Sequence, residues 1–288
     1  MHRKTITEDF SSSVKVSEYY GDTLCVDRAV LVEAPADGLS ARMHIIDEAQ
    51  ERLDVSYYAM HIGETTDLFL GALLAAADRG VHVRILVDGF FGGLTNSNRD
   101  YAVALGAHPN IELALYNIPS LLKPWTFNGR LHDKYIIADD RILLLGGRNI
   151  GDKYFAPDGY DKAISYDRDV LVYNTAWDSG STDSVLFDVR DYMDTVWNSE
   201  YVQRPFGEDT TRGIEKRKEL QSIYNSFRAE HNLLFEHTDD DYIEWTYPVN
   251  RISFLHNDIQ IGPKEPKVTY ILGELLKSAE ESVTLQSP

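Results

Sequence analysis

A histidine, a lysine, two glycines and an asparagine crowd into residues 131–155, LHDKYIIADDRILLLGGRNIGDKYF, and their types suit the handling of a phosphodiester. Such an ester carries a negative charge that repels nucleophiles, so a site that attacks it needs cations and N–H donors around the nonbridging oxygens. Lys134 offers a compact positive charge. Asn149 offers amide donors, and the Gly146-Gly147 pair lets backbone N–H groups approach closely, as phosphate-binding loops do. His132 is the candidate nucleophile, because a neutral imidazole attacks and the ordinary histidine pKa lies near neutrality. It needs a partner for its other ring nitrogen, and the candidates are Asp167 and Asp169, placed by period-two alternation on one face of the next strand.

The stretch that carries these groups reads as a β-hairpin, with apolar runs Tyr135 to Ala138 and Arg141 to Leu145 joined by Asp139-Asp140. Alternation puts His132 and Lys134 on one face of its first strand. Asp139, in the turn, is expected to be structural. Upstream, Ser40 is expected to cap a helix reaching about Arg52, followed by a strand through Val55 and Tyr57. A second helix starts near Thr65 and Thr66, carries Leu70, Leu73, Leu74 and Ala77 on one stripe, and stops at Gly80. Val81, Val83, Ile85 and Val87 then alternate as a strand, and the loop FFGGLTNSNRD follows at its end, where α/β folds often bind ligands. A plain turn is an equal reading of that loop. A short helix to Leu105, a strand from Ile111 to Tyr116, a strand from Asp169 to Tyr173 and an amphipathic helix through Leu186, Val189, Met193, Val196 and Trp197 complete the pattern. It predicts an α/β domain with a mixed sheet flanked by helices.

With 288 residues, 43% hydrophobic and 11% aromatic, the chain can bury a sizeable core. Its 28 basic and 46 acidic residues give a net charge of −18, which disfavours nucleic acid as a partner. The single Cys25 makes no intrachain disulfide. The first twenty residues lack the apolar core of a signal peptide, and no run approaches the ~18 apolar residues of a spanning helix. Beyond Asn198 the chain turns polar, with a helix expected around Arg212 to Phe227. The basic cluster Arg212, Lys216, Arg217 and Lys218 on it is read chiefly as a solvated face, with anionic headgroups as the alternative. Thr238-Asp239-Asp240-Asp241 lacks the glycine and terminal glutamate of a calcium loop and is assigned no metal. Shifted by 230 positions, Ile45, Ile46, Ala49, Glu51, Leu53 and Val55 fall on Leu275, Leu276, Ala279, Glu281, Val283 and Leu285, which predicts a second helix-then-strand unit cut short at Pro288. The expected organisation is an extension (1–29), a first lobe (30–200), a connecting region (201–265) and the start of a truncated second lobe (266–288).

His132, Lys134, Asp139, Gly146, Gly147 and Asn149 match, without a gap, the pattern H-x-K-x(4)-D-x(6)-G-[GS]-x-N. In this the chain resembles the phospholipase D superfamily, and GGRNIGDKYF is similar to its bacterial cardiolipin synthase branch. SYY, AADRGVHVRILVD and YN upstream, and DRDVLVYN and LQSP downstream, extend the likeness over roughly residues 30 to 288. The resemblance implies an α/β sandwich of two lobes, each with one motif, around a shared site. One histidine attacks phosphorus, the other protonates the leaving alcohol, and neither metal nor cofactor is required. It also favours Asp167 as the group that orients His132. One complete copy of the pattern is present, and His231, His237 and His256 do not begin another.

Three functions are consistent with this. The first is one lobe of a phosphatidyltransferase that joins phosphatidylglycerol units into cardiolipin, inactive without a second lobe of the same polypeptide. The second is a one-motif phosphodiesterase or nuclease completed by dimerisation, and the third a noncatalytic phosphate-binding fragment. For the first, the expected location is cytoplasmic or peripheral at the bacterial inner membrane, with a phospholipid as substrate and the membrane surface open as a partner.

Overall fold

In the computed structural model, which describes residues 4–236 and 238–285, the alternating apolar runs form one mixed sheet with helices on both faces. His237 and Gln286, Ser287 and Pro288 of the terminal LQSP lie outside the described residues. The chain runs α1 (Glu8–Ser13), β1 (Asp27–Val32), α2 (Pro35–Glu48), β2 (Arg52–Tyr57), α3 (Glu64–Asp78), β3 (His82–Asp88), α4 (Arg99–Gly106) and β4 (Ile111–Tyr116). It continues with β5 (Lys134–Ala138), β6 (Ile142–Gly146), α5 (Asp152–Phe155), β7 (Asp169–Asn174), α6 (Val185–Trp197) and β8 (Val202–Gln203). The last elements are α7 (Thr211–Glu230), α8 (Asp239–Trp245), β9 (Tyr247–Pro248) and α9 (Lys267–Ser278).

Strands lie in the order β8-β4-β3-β2-β5-β6-β7-β1-β9. β2, β3 and β4 are parallel, as helical crossovers require, whereas the hairpin β5-β6 and then β7 and β1 join antiparallel. Period-two alternation divides the hairpin between two cores. Ile136 and Ala138 pack with α2, α3 and α7, while Tyr135, Ile137 and Leu143 pack with Leu186, Val189 and Met193 of α6. The expected amphipathic helix is α6, with Val185, Leu186, Val189, Met193, Val196 and Trp197 all buried. α3 ends as expected, with Gly80 in the left-handed region at φ 100°.

The first large helix starts earlier than expected. Pro35 at its first turn, a position where the missing N–H costs nothing, begins α2, so Ser40 lies inside it, and the helix ends at Glu48. α3 starts at Glu64 with Gly63 before it, and the cap of its first turn comes from outside: Thr65 N–H donates to Asp152 Oδ1 at 2.8 Å. The aspartate of GGRNIGDKYF therefore fastens α3 to the hairpin's exit.

The region from 201 to 265 is not a detached connector. Leu220 and Tyr224 of α7 and Tyr242 of α8 are buried in the main core. α7 lies so close to α3 that a Cβ on Gly71 would come within 2.4 Å of Leu220 O. Of the basic cluster, Arg217 donates to Ala104 O of α4 and to Asp209, and Lys216 pairs with Glu219 within α7 at 2.7 Å. The acidic run at 239–241 is the first turn of α8 with a Thr238–Asp241 capping box. Of the internal repeat, the helix is present: α9 ends at Ser278 with Ala279 extended, as α2 ends at Glu48 with Ala49 extended, a spacing of 230. No strand follows α9 among the described residues through Leu285.

Candidate active site

The motif residues other than Asp139 lie where β2 and β3 end and β5 begins, outside the carboxyl ends of the parallel strands. β5 begins at Lys134, so His132 lies two residues before the strand rather than on it. The two side chains still come together. Lys134 Nζ is 3.3 Å from His132 Nδ1, 3.5 Å from Nε2, and donates to His132 O at 3.1 Å. Lys134 is buried and His132 exposed, so the cation lies beneath an accessible imidazole.

Two flanking segments fix this geometry. Tyr58 N–H, just past β2, donates to Asp133 O at 2.8 Å, and the Tyr58 ring lies 4.7 Å from the His132 ring and 5.4 Å from Lys134 Nζ. Asp88, the last residue of β3, accepts Leu131 N–H at 3.0 Å and pairs with Arg130 at 3.2 Å. On the far side, Met60 bridges to Ile150, and Asn149 Oδ1 accepts Ala59 N–H at 3.2 Å.

Partial desolvation of the otherwise exposed ring, and then the Lys134 charge, lower the His132 pKa below its usual value, which favours the neutral imidazole. Burial also lowers the Lys134 pKa, opposed by the carboxylates of Asp133 and Asp167. Between them Asp133 is raised to about 6, chiefly by burial, although it accepts from Tyr192 OH at 3.2 Å and Ser56 Oγ at 3.4 Å.

Other candidate residues have different places from those expected. Asp167, like His132, precedes its strand, and no hydrogen bond joins the two among the described residues; its side chain lies against Gly147. Asp169 opens β7 and is buried in an ion-pair cluster with Arg42 at 2.9 Å and Arg148 at 2.8 Å. Its Oδ2 is held by both guanidinium groups, which ties α2, the motif and β7 together. Arg148 also donates to the carbonyls of Val32 and Glu33, which makes it a structural cation and not a headgroup ligand.

The glycine pair likewise serves packing. Gly147 N–H is spent on Arg168 O at 2.9 Å, and a Cβ on Gly146 would come within 2.1 Å of Asp169 Oδ1. At Gly146 the approach of β7 leaves no room for a side chain, and at Gly147 the nearest neighbour is the Asp167 side chain. Asn149 Nδ2 donates to Tyr154 OH at 3.0 Å, which orients the amide. Asp139 lies in the β5-β6 turn: at φ 50° it accepts the N–H groups of Gln50, Glu51 and Arg52 at 2.8–3.0 Å.

The remaining histidines divide by surroundings. His82 pairs with Glu112 and His108 with Asp78, each at 3.1 Å, His44 packs on Trp245, and His61 stacks near Tyr154 with its pKa lowered by burial and then Lys153. His2, Lys4 and Asp9 repeat H-x-K-x(4)-D without the glycines and asparagine; His2 lies outside the described residues and Asp9 is in α1.

A cavity of about 330 Å³ opens beside His132, lined by Arg130, Asp133, Tyr192, Phe254, His256 and Lys264 among others. In a chain of net charge −18 this concentrates two histidines, an arginine and a lysine around one space. His256 and Lys264 come from the region that sequence reading treated as a connector. They were illegible because no local spacing links them to His132, 124 positions earlier in the case of His256. Tyr58 and Asp88 had a local signal, being the residues at or just past the ends of two parallel strands.

Residues 43–175 match the family model described as cardiolipin synthase, PLD-like domain. Cardiolipin synthase C of Escherichia coli (strain K12) is 39% identical over 133 residues, covering 43% of this chain and 28% of that protein. A cardiolipin synthase of Alkalihalophilus pseudofirmus is 30% identical over 143 residues, covering 48% and 27%. The match thus spans little more than a quarter of these relatives' length. Among solved structures, phosphatidylserine synthase of Haemophilus influenzae Rd KW20 superposes with TM-score 0.49 at 16% identity, covering 70% of this chain and 44% of that one. NucT from Helicobacter pylori does so with TM-score 0.45 at 19% identity, covering 60% and 97%.

Proposed function

The chain belongs, through residues 43–175, to the phospholipase D superfamily in its cardiolipin synthase branch, and on that premise we propose that it supplies the nucleophilic half of a phosphatidyl-transfer centre. The observation that carries this reading is the exposed His132 over the buried Lys134 at 3.3 Å. His132 attacks the phosphorus of phosphatidylglycerol; an N–P bond forms, the P–O bond to the headgroup glycerol breaks, and that oxygen takes a proton. A hydroxyl of a second phosphatidylglycerol then gives up its proton, attacks phosphorus and displaces the imidazole, leaving cardiolipin.

Lys134 and the amide of Asn149 stabilise the nonbridging oxygens as charge moves onto them. The cavity lined by Arg130, His256 and Lys264 takes the anionic headgroup region. Asp133 orients the strand end below His132 through Tyr192 and Ser56. The proton for the leaving alcohol comes from the histidine of a second motif-bearing lobe, so the chain by itself turns over ordinary phospholipid poorly.

The test is conversion of labelled phosphatidylglycerol to cardiolipin by this chain joined to a second motif-bearing lobe. Loss of product in His132→Ala supports the assignment, and retention of product in that variant removes His132 from the mechanism.

A further inference from the structure

The loop 118–129, IPSLLKPWTFNG, exposes its apolar residues although its base is firmly tied. Asn117 Nδ2 and Arg130 donate to Thr126 O at 2.8 and 2.7 Å, and Thr126 Oγ1 donates to Lys123 O at 2.7 Å while accepting Ser120 N–H at 3.0 Å. On this braced turn Leu121 is 89% and Leu122 91% exposed, and Trp125 is 58% exposed. Their exposure is built in by the turn, and an adjacent pair of leucines in water has an unfavourable hydration that burial in an apolar phase relieves.

Two further features point to what covers this tip. In a chain with 46 acidic residues the loop contains none, and its single charge is Lys123. Tryptophan beside leucines and a lysine suits the boundary between acyl chains and headgroups. The tip is also continuous with the reaction centre through ring contacts: Phe127 to Phe90 at 6.0 Å, Phe90 to Phe91 at 4.7 Å, Phe91 to Tyr58 at 5.2 Å, and Tyr58 to His132 at 4.7 Å. Phe90 and Phe91 are themselves 52% and 46% exposed, which gives an apolar ramp from the tip to the imidazole.

We propose that the loop tip at Leu121, Leu122 and Trp125 inserts into the surface of a phospholipid bilayer, and that the ramp of Phe127, Phe90, Phe91 and Tyr58 carries the acyl side of the lipid past His132. This rests on the phosphatidyl-transfer reading and adds to it the element that meets the bilayer. The attachment is apolar, because a net charge of −18 is repelled by an anionic surface. Added salt therefore strengthens binding to anionic vesicles, or leaves it unchanged, the opposite of a polybasic anchor.

The experiment is co-sedimentation of the full chain with vesicles of phosphatidylcholine alone and of phosphatidylcholine with phosphatidylglycerol, at low and high salt. The expected result is partitioning to both, with a loss of at least tenfold in Leu121→Asp/Leu122→Asp, whose side chains lie outside the core. As a second readout, brominated lipid quenches the tryptophan fluorescence of the wild type, and most of that quenching disappears in Trp125→Phe. Failure of the folded wild type to partition, equal partitioning of the double variant, binding that collapses with salt, or self-association through the leucines without vesicle binding each overturns the proposal. A stoichiometric burst of nitrophenolate from a soluble nitrophenyl phosphodiester reports His132 separately. Vesicle binding lost with the burst retained refutes the loop alone, whereas absence of the burst refutes the phosphatidyl-transfer reading beneath it.

Discussion

Lys134 Nζ lies 3.3 Å from His132 Nδ1 although β5 begins only at Lys134, so the ammonium reaches back under an imidazole carried by the loop before the strand. The contact adds to partial burial in lowering the pKa of the ring. Burial and this cation both disfavour imidazolium, so the His132 pKa is below that of a free histidine. Replacing Lys134 with Met removes one of the two causes, and the His132 ring titration followed by NMR is expected to move upward toward the usual value. A downward or absent shift would mean that Lys134 does not act on the ring.

Asp169→Ala is expected to cost about 3–5 kcal/mol, because it leaves Arg42 and Arg148 buried without their carboxylate. Denaturant unfolding checks this. A group that acted only on His132 would leave the unfolding midpoint unchanged.

The glycine pair separates by the space around each residue. A Cβ at Gly146 meets Asp169 Oδ1 at 2.1 Å and Arg168 O at 2.5 Å, whereas at Gly147 the nearest atoms, on Asp167, are 3.1–3.3 Å away. Gly146→Ala is expected to destabilise by about 2–3 kcal/mol and Gly147→Ala by less than about 1 kcal/mol, measured by thermal or denaturant unfolding. Equal effects would contradict the assignment of the crowding to Gly146.

Asp133 makes a pH-dependent contribution of definite sign. Its folded pKa, raised to about 6 chiefly by burial, exceeds that of the unfolded carboxyl, so the folded state binds the extra proton. The contribution is fully present below about pH 4 and is lost as the pH rises through about 6. At pH 7.5 Asp133→Asn is therefore expected to stabilise the chain by roughly 1–2 kcal/mol, and to flatten the stability profile between about pH 4 and 7. A variant that is less stable at pH 7.5 with an unchanged profile would contradict this.

Regular elements were legible wherever apolar period and punctuation agreed. Ile111–Tyr116, the β5-β6 hairpin and α6 fall where their patterns put them, and five of the six motif positions lie at one end of the hairpin, with Asp139 in the turn at the other. Residues whose roles depend on distant partners were not legible. Gly146 and Gly147 carry the same sequence mark whether they cradle an anion or admit β7, and only the approach of Arg168 and Asp169 decides between them. Asp169 looks like Asp167 by alternation, yet the arginines that claim it come from α2 and from the motif itself, at Arg42 and Arg148. Beyond Asn198 the helix carrying Leu220 and Tyr224 was legible but its packing into the main core was not, and the polar sequence concealed Tyr242 in that core and Lys264 and His256 beside His132.

The assignment of His132 as nucleophile is tested most directly with a soluble nitrophenyl phosphodiester, because nitrophenolate departs without an acid and one lobe then suffices for the first step. The prediction is a burst of nitrophenolate stoichiometric with the chain, a phosphoryl adduct located on His132 by mass spectrometry, and neither in His132→Asn. A burst of the same size in His132→Asn, or an adduct on a different residue, would contradict it.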